Sequence, residues 1–374
     1  MRKVKSKIFD LLLQRKLKKA GPARPIAELN IERVQKILVV SSTALGDTVF
    51  SLPAIASTRE LFPGAKISWL LKKAYLDLFR VVKDVDEFIP YHGGYRKLLD
   101  LYRKIKEGSF DLCLIFHDSD PCPGGMAYLS DVPFILRCGF KDEKLAPYLS
   151  ARVPYVDEHH AIEQRLDVLR AIFGGDVTLQ KEVRLETKIG DEQKWRKNLS
   201  ELCGWKNAAF VGFQTTAARR YRAWPAKKFV ELGKRLLSRY PDMVLVLLGA
   251  TSERKYCQDI VDGICGGRRV INLASEYQIS ELPAILKTFD LLVSNDTGPL
   301  HVAIVVGTPT VSLFVPSRVE HTGPYQDFSK HKVIRKPPPC DPCLIKYCGD
   351  PWCMDLISVE EVFEVIESGF YKCE

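Results

Sequence analysis

The chain has 374 residues, 46% of them hydrophobic and 27% charged, with a net charge of +9. Such a length exceeds one compact core and predicts two domains of ordinary size, while the composition excludes a disordered or fibrous protein. No apolar run reaches the roughly 18–20 residues of a membrane span, and the stretch Phe9-Asp10-Leu11-Leu12-Leu13 is too short for a secretory signal, so a cytoplasmic protein is expected.

The first segment, 1–30, is basic. Arg2, Lys3, Lys5, Lys7, Arg15, Lys16, Lys18 and Lys19 face a single acid, Asp10. Ile8, Leu11, Leu12 and Leu17 are expected to form the apolar stripe of a short helix that suits the anionic inner membrane surface. A frayed, solvated terminus is the other reading. Nucleic acid is not expected, because the basic residues are not interleaved with aromatics.

A first domain is placed at 31–185. An apolar strand at 36–40 runs into the turn Thr43-Ala44-Leu45-Gly46-Asp47, and a helix continues to Leu61 with Pro53 in its first turn. Strands at 67–71, 87–89 and 111–115 alternate with helices at 74–82 and 96–107. Irregular chain at 117–160 follows, then a helix at 160–173. A second domain, 186–355, repeats the beat: strands at 208–213, 243–248, 269–272, 289–294 and 308–314 alternate with helices at 226–239, 252–264, 280–287 and 299–306. A final helix is expected within 356–374. Alternation of this kind predicts an α/β protein of two Rossmann-like, doubly wound parallel sheets, with a cleft at the carboxyl ends of the strands.

The most informative stretch is Asp296-Thr297-Gly298-Pro299-Leu300-His301. It follows an apolar strand and opens an apolar helix, so unpaired N–H groups and a positive dipole end are offered to an anion such as a diphosphate. An ordinary turn with Asp296 or Thr297 as N-cap is the alternative. Thr43–Asp47 repeats the strand–turn–helix setting upstream. Asp47 is a candidate general base, with Gly46 and Thr48 beside it on the acceptor side; capping of its own helix is the competing role. Thr215 and Thr216, ending the strand 208–213, and Arg222 are candidate phosphate ligands.

These points together resemble the ADP-heptose:lipopolysaccharide heptosyltransferases, family nine of the glycosyltransferases. The resemblance rests on Ala44-Leu45-Gly46-Asp47 with Pro53, on Phe62-Pro63-Gly64-Ala65, on Trp224-Pro225 after the Thr pair, and on Asp296–His301. It implies a GT-B fold with two Rossmann-like domains facing across a cleft, the first for acceptor and the second for nucleotide-sugar. It further implies inverting, metal-independent transfer of heptose from ADP-heptose to a lipid A-core acceptor, at the cytoplasmic face of the inner membrane. Asp47 takes the base role, Glu253 holds the ribose, Asp296 meets the donor sugar, and Thr297, Gly298 and His301 line the diphosphate. Family members commonly carry a lysine two places before the Trp-Pro, where this chain has Arg222.

Cys340, Cys343, Cys348 and Cys353 are spaced so that four thiolates can hold a structural zinc or iron. Some protein-modifying heptosyltransferases bind iron through such cysteines, so a protein acceptor is the alternative reading, with a different nucleotide-sugar donor beside it. No cofactor is expected in catalysis. A dinucleotide-dependent oxidoreductase is disfavoured because Ser41–Gly46 lacks the G-x-G-x-x-G turn. A non-catalytic sugar-binding or membrane scaffold is a further alternative, which donor binding without turnover would mark.

Overall fold

The computed structural model describes residues 2–118, 122–139, 143–217, 219–315, 317–337, 340, 348 and 352–369. Two compact units, residues 1–183 and 184–374, divide the chain.

The first unit begins with helix α1 (Arg2–Ala20) and continues through β1 (Lys36–Ser41), α2 (Leu45–Val49), α3 (Leu52–Leu61), β2 (Lys66–Lys72), α4 (Leu76–Phe79) and β3 (Glu87–Tyr91). Then come α5 (Leu98–Gly108), β4 (Leu112–His117), α6 (Cys122–Leu129), β5 (Phe134–Arg137) and α7 (Ala161–Phe173). The sheet order is β3-β2-β1-β4-β5, parallel throughout. Burial on both faces explains why β1 and β4 read as unbroken apolar runs rather than alternating ones. The order reverses between β1 and β4, and ligands of such sheets gather beyond the strand ends at that reversal.

The second unit contains α8 (Asp191–Cys203), β6 (Ala209–Gln214), α9 (Ala226–Arg239), β7 (Met243–Leu248), α10 (Arg254–Ile264), β8 (Val270–Asn272), α11 (Leu282–Lys287), β9 (Leu291–Asn295) and α12 (Gly298–Val306). It ends with β10 (Thr310–Phe314), α13 (Val319–Thr322), β11 (His331–Arg335) and α14 (Val359–Gly369). Its six parallel strands run β11-β10-β9-β6-β7-β8, so its reversal lies between β6 and β9. Gly212 on β6 admits the Phe289 ring, whose Cδ2 would lie 2.4 Å from an added Cβ. The two doubly wound parallel sheets are those expected from the alternation.

Several expectations are corrected. The single helix through Leu61 is two, α2 and α3, because Pro53 has no N–H to give the Val49 carbonyl. The stretch 117–160 is not wholly irregular: it holds α6 and β5. Its Cys122-Pro123-Gly124-Gly125 start reads as loop, yet Pro is tolerated in a first helical turn. The short edge strand β11 went unread. In α1, Ile8, Leu11 and Leu12 are exposed, as a membrane-facing stripe requires, but Leu17 packs against the first-unit core instead of joining them, and a second set, Phe9 and Leu13, is buried. No helix among the described residues is long and apolar enough to cross a membrane.

Candidate active site

In the first unit, Asp47 stands in the first turn of α2, directly beyond β1 at the sheet reversal. Its side chain is 31% exposed, so a substrate hydroxyl can reach it. Oδ1 accepts from the Arg165 guanidinium of α7 at 3.1 Å, and Oδ2 accepts from the Thr43 hydroxyl at 3.3 Å. His117, at the end of β4, sets Nε2 3.6 Å from Oδ1 and Nδ1 2.7 Å from the Thr43 hydroxyl. The register pairs Ser41 with His117 across a shift after Val40, which brings these residues together. Arg165 is only 2% exposed and lies over the Phe50 ring. A buried guanidinium needs a carboxylate, and Asp47 supplies it.

Burial, with Arg165 next, pushes His117 down to about 4 against the pull of Asp47. The imidazole is therefore neutral near pH 7. Because the single Thr43 hydroxyl proton goes to Asp47, the 2.7 Å contact requires the ring proton on Nδ1, which donates to the Thr43 oxygen. His331 on β11 is likewise pushed to about 4, chiefly by burial, and meets Thr310 Oγ1 at 3.0 Å. Such histidines stay neutral in the fold, while in the unfolded chain they take up a proton near the ordinary 6.5. The unfolded state then binds more protons, so their contribution to stability is full above about 6.5 and is lost as pH falls toward 4. Urea midpoints are expected to drop across that window and His331→Gln to flatten the drop; an unaltered slope would remove His331 from the effect.

Two acceptor-side expectations part here. Gly46 is buried in the first turn of α2. Thr48 is fully buried, and its hydroxyl donates to the Ala44 carbonyl at 2.9 Å. It supports the turn and offers nothing to a ligand. A second feature went unread: a cavity of about 300 Å³ beyond β3, lined by Lys73, His92, Arg96, Lys97 and Lys104, with Asp100 the acid. Burial first, then Lys97 and Lys73, holds His92 below its ordinary range, a sign of the positive surroundings. The run Arg96-Lys97 was the available signal.

In the second unit the groups gather beyond β6 and β9. Asp296 is 7% exposed, with Arg222 Nη1 3.5 Å from Oδ2 and His301 Nε2 3.4 Å from Oδ1. Burial alone would raise its carboxyl; hydrogen bonding and charge from His301, with the Arg222 charge, outweigh that and hold it below the ordinary range. Thr297 takes the N-cap position of α12, yet its side chain makes no capping hydrogen bond. Gly298 starts the helix, so its N-terminal N–H groups and dipole end face the same place. His301 is buried one turn in.

Thr216 lines a cavity of about 1150 Å³, together with Tyr221, Glu253, Tyr256 and Trp352. That space exceeds the roughly 300–1,000 Å³ of small-ligand pockets and suits a nucleotide carrying a sugar. Thr215 is not part of it. Successive side chains leaving a strand point to opposite sides, and Thr215 is fully buried beside Cys257 Sγ. One oxygen of Glu253 accepts from the Ala250 N–H at 2.7 Å, so this acid shapes its own loop while standing on the cavity wall. Asn295 was missed from the sequence. Its Oδ1 accepts from the Trp224 N–H at 2.9 Å and its Nδ2 donates to the Gln214 carbonyl at 3.2 Å, which ties the Thr216–Trp224 loop to the end of β9.

Of the cysteine set, Cys340, Cys348 and Cys353 are described, and Cys343 lies outside the described residues. No group of three His, Cys, Asp or Glu fit to hold a metal occurs among the described residues. Cys348 and Trp352 line the large cavity.

The family model of glycosyltransferase family 9 (heptosyltransferase) matches residues 99–350. Lipooligosaccharide heptosyltransferase 2 of Campylobacter jejuni is 23% identical over 342 residues, 89% of this chain and 98% of that protein. The structure of Escherichia coli ADP-heptose LPS heptosyltransferase II superposes with a TM-score of 0.74 at 21% identity, covering 90% of this chain and 98% of that one. Escherichia coli heptosyltransferase WaaC with ADP gives a TM-score of 0.68 at 16% identity, covering 90% and 100%. At these identities the superpositions establish the fold, the GT-B pair of Rossmann-like units.

Proposed function

Because the chain belongs to glycosyltransferase family 9, we propose that it moves heptose from ADP-heptose to a lipopolysaccharide inner-core acceptor with inversion at the anomeric carbon. One observation carries this reading. Each unit places its reactive side chains beyond the strand ends at its own sheet reversal: Asp47 in the first, Asp296 with Arg222 and His301 in the second.

In this reading Asp47 accepts the proton of the acceptor hydroxyl as its oxygen bonds to the anomeric carbon. Thr43, Arg165 and His117 fix the carboxylate rotamer, so that one lone pair faces the incoming alcohol. The bond from the anomeric carbon to the phosphate oxygen breaks, and the electron pair leaves with ADP. Arg222, the α12 N-terminus and the Thr216 hydroxyl stabilise the charge that develops there. These groups are the chain's own counter-charge, and catalysis is expected to persist in a chelator. Asp296 accepts hydrogen bonds from donor-sugar hydroxyls, and Thr297 and Gly298 bring N–H groups to the diphosphate. Glu253, with the aromatic wall of Tyr221, Tyr256 and Trp352, receives the nucleoside.

Two of the relatives named above are called lipooligosaccharide or LPS heptosyltransferases, and the basic Lys73–Lys104 cavity of the first unit suits an acceptor of that kind that carries negative charge. A structural zinc or iron on Cys340, Cys343, Cys348 and Cys353 would order the wall that Cys348 and Trp352 contribute, and no chemical step is assigned to it. Calorimetry with ADP, UDP, GDP and CDP tests the donor. ADP is expected to bind at least tenfold more tightly than the others, a difference of about 1.4 kcal/mol; UDP binding as tightly as ADP would overturn the ADP-heptose assignment.

A further inference from the structure

We propose that the outward face of α1 is a docking surface for an anionic lipid bilayer. The inference extends the reading above, in which the acceptor is membrane-held, and its test requires no sugar transfer.

The helix carries two stripes at helical spacing. Phe9, Leu13 and Lys16 form the inner one. Phe9 and Leu13 are 1% and 4% exposed, and they rest on α6 where Gly125 leaves room: an added Cβ there would stand 2.8 Å from Phe9 Cζ. Phe9 also meets the Tyr95 ring edge-on. Lys16 Nζ donates to the Tyr128 carbonyl at 2.6 Å and the Leu129 carbonyl at 3.1 Å, and pairs with Asp131. A cation at the carboxyl end of α6 complements that helix's dipole. The helix is thereby seated on the first unit in one rotation about its axis.

Ile8, Leu11 and Leu12 form the other stripe and are 54%, 64% and 47% exposed. Lys7, Arg15, Lys18 and Lys19 are exposed around them, and Asp10 is the acid among these neighbours. Three large aliphatic side chains within a predominantly basic field match a bilayer surface. The aliphatics enter the acyl boundary while the long basic side chains reach the headgroups. A second copy of the chain would bring the same positive charges face to face, which opposes self-association through this surface. The helix lacks the apolar length to cross the membrane, so it lies in the interface.

The test uses the full chain and co-sedimentation with vesicles of phosphatidylglycerol and phosphatidylethanolamine or of phosphatidylcholine alone. Binding is expected to the first, to weaken with salt, and to be absent from the second. The double variant Leu11→Asp/Leu12→Asp is expected to lose binding by on the order of tenfold or more, with an unchanged melting temperature and unchanged ADP affinity, because both side chains face solvent. Undiminished binding by that variant overturns the inference, as does equal binding to phosphatidylcholine. So would light scattering that shows a dimer which the variant dissociates. A failed donor assignment would leave these vesicle results standing.

Discussion

Asp47→Asn is expected to lower the transfer rate by about 10²–10⁴-fold, the usual worth of a positioned base. The asparagine Oδ1 can still accept from Arg165, which is 3.1 Å from that oxygen in the native side chain, so the buried guanidinium keeps a partner. An alanine would leave that charge buried without one and confound activity with stability. The variant should therefore melt near the native temperature and bind ADP within a few-fold of it, because the nucleotide groups belong to the other unit. Steady-state kinetics beside calorimetry separates the two roles. Loss of ADP affinity in Asp47→Asn would make Asp47 a structural residue.

Arg222→Ala should weaken ADP binding by about tenfold to a hundredfold, the range of a charge-assisted hydrogen bond of about 1.5–3 kcal/mol. Arg222 is half exposed, 3.5 Å from the buried Asp296 carboxylate, and stands over the Tyr221 ring. It is poised to exchange a protein carboxylate for a phosphate oxygen without moving the backbone. Arg222→Lys should recover part of the loss, since it restores charge but not the planar fork. Titration of ADP into both variants checks this, and native affinity in Arg222→Ala would remove the residue from the diphosphate site.

Both strand–turn–helix motifs were legible because each is local: an apolar strand, a turn, then an apolar helix. Thr43–Asp47 and Asp296–His301 accordingly stand where the pattern put them. The partners that shape Asp47 were not legible. His117 and Arg165 lie 70 and 118 positions downstream of it, and only the pairing of β1 with β4 and the packing of α7 bring them back. The Thr pair shows the same limit at short range. Sequence marks both hydroxyls, but the strand's alternation sends Thr215 into the core and leaves Thr216 on the cavity. Asn295 did carry a signal, since an amide at the end of a buried strand must find partners. In α1 two stripes coexist, and the presence of α6 decides which is buried.

Mass spectrometry of a lipid A–core acceptor, incubated with the full chain and ADP-heptose in a metal chelator, tests the central claim most directly. A gain of one heptose, absent with Asp47→Asn and linked in the anomeric configuration opposite to that of the donor, is the expected result. An acceptor of unchanged mass with the native chain, or retained configuration in the product, would contradict it.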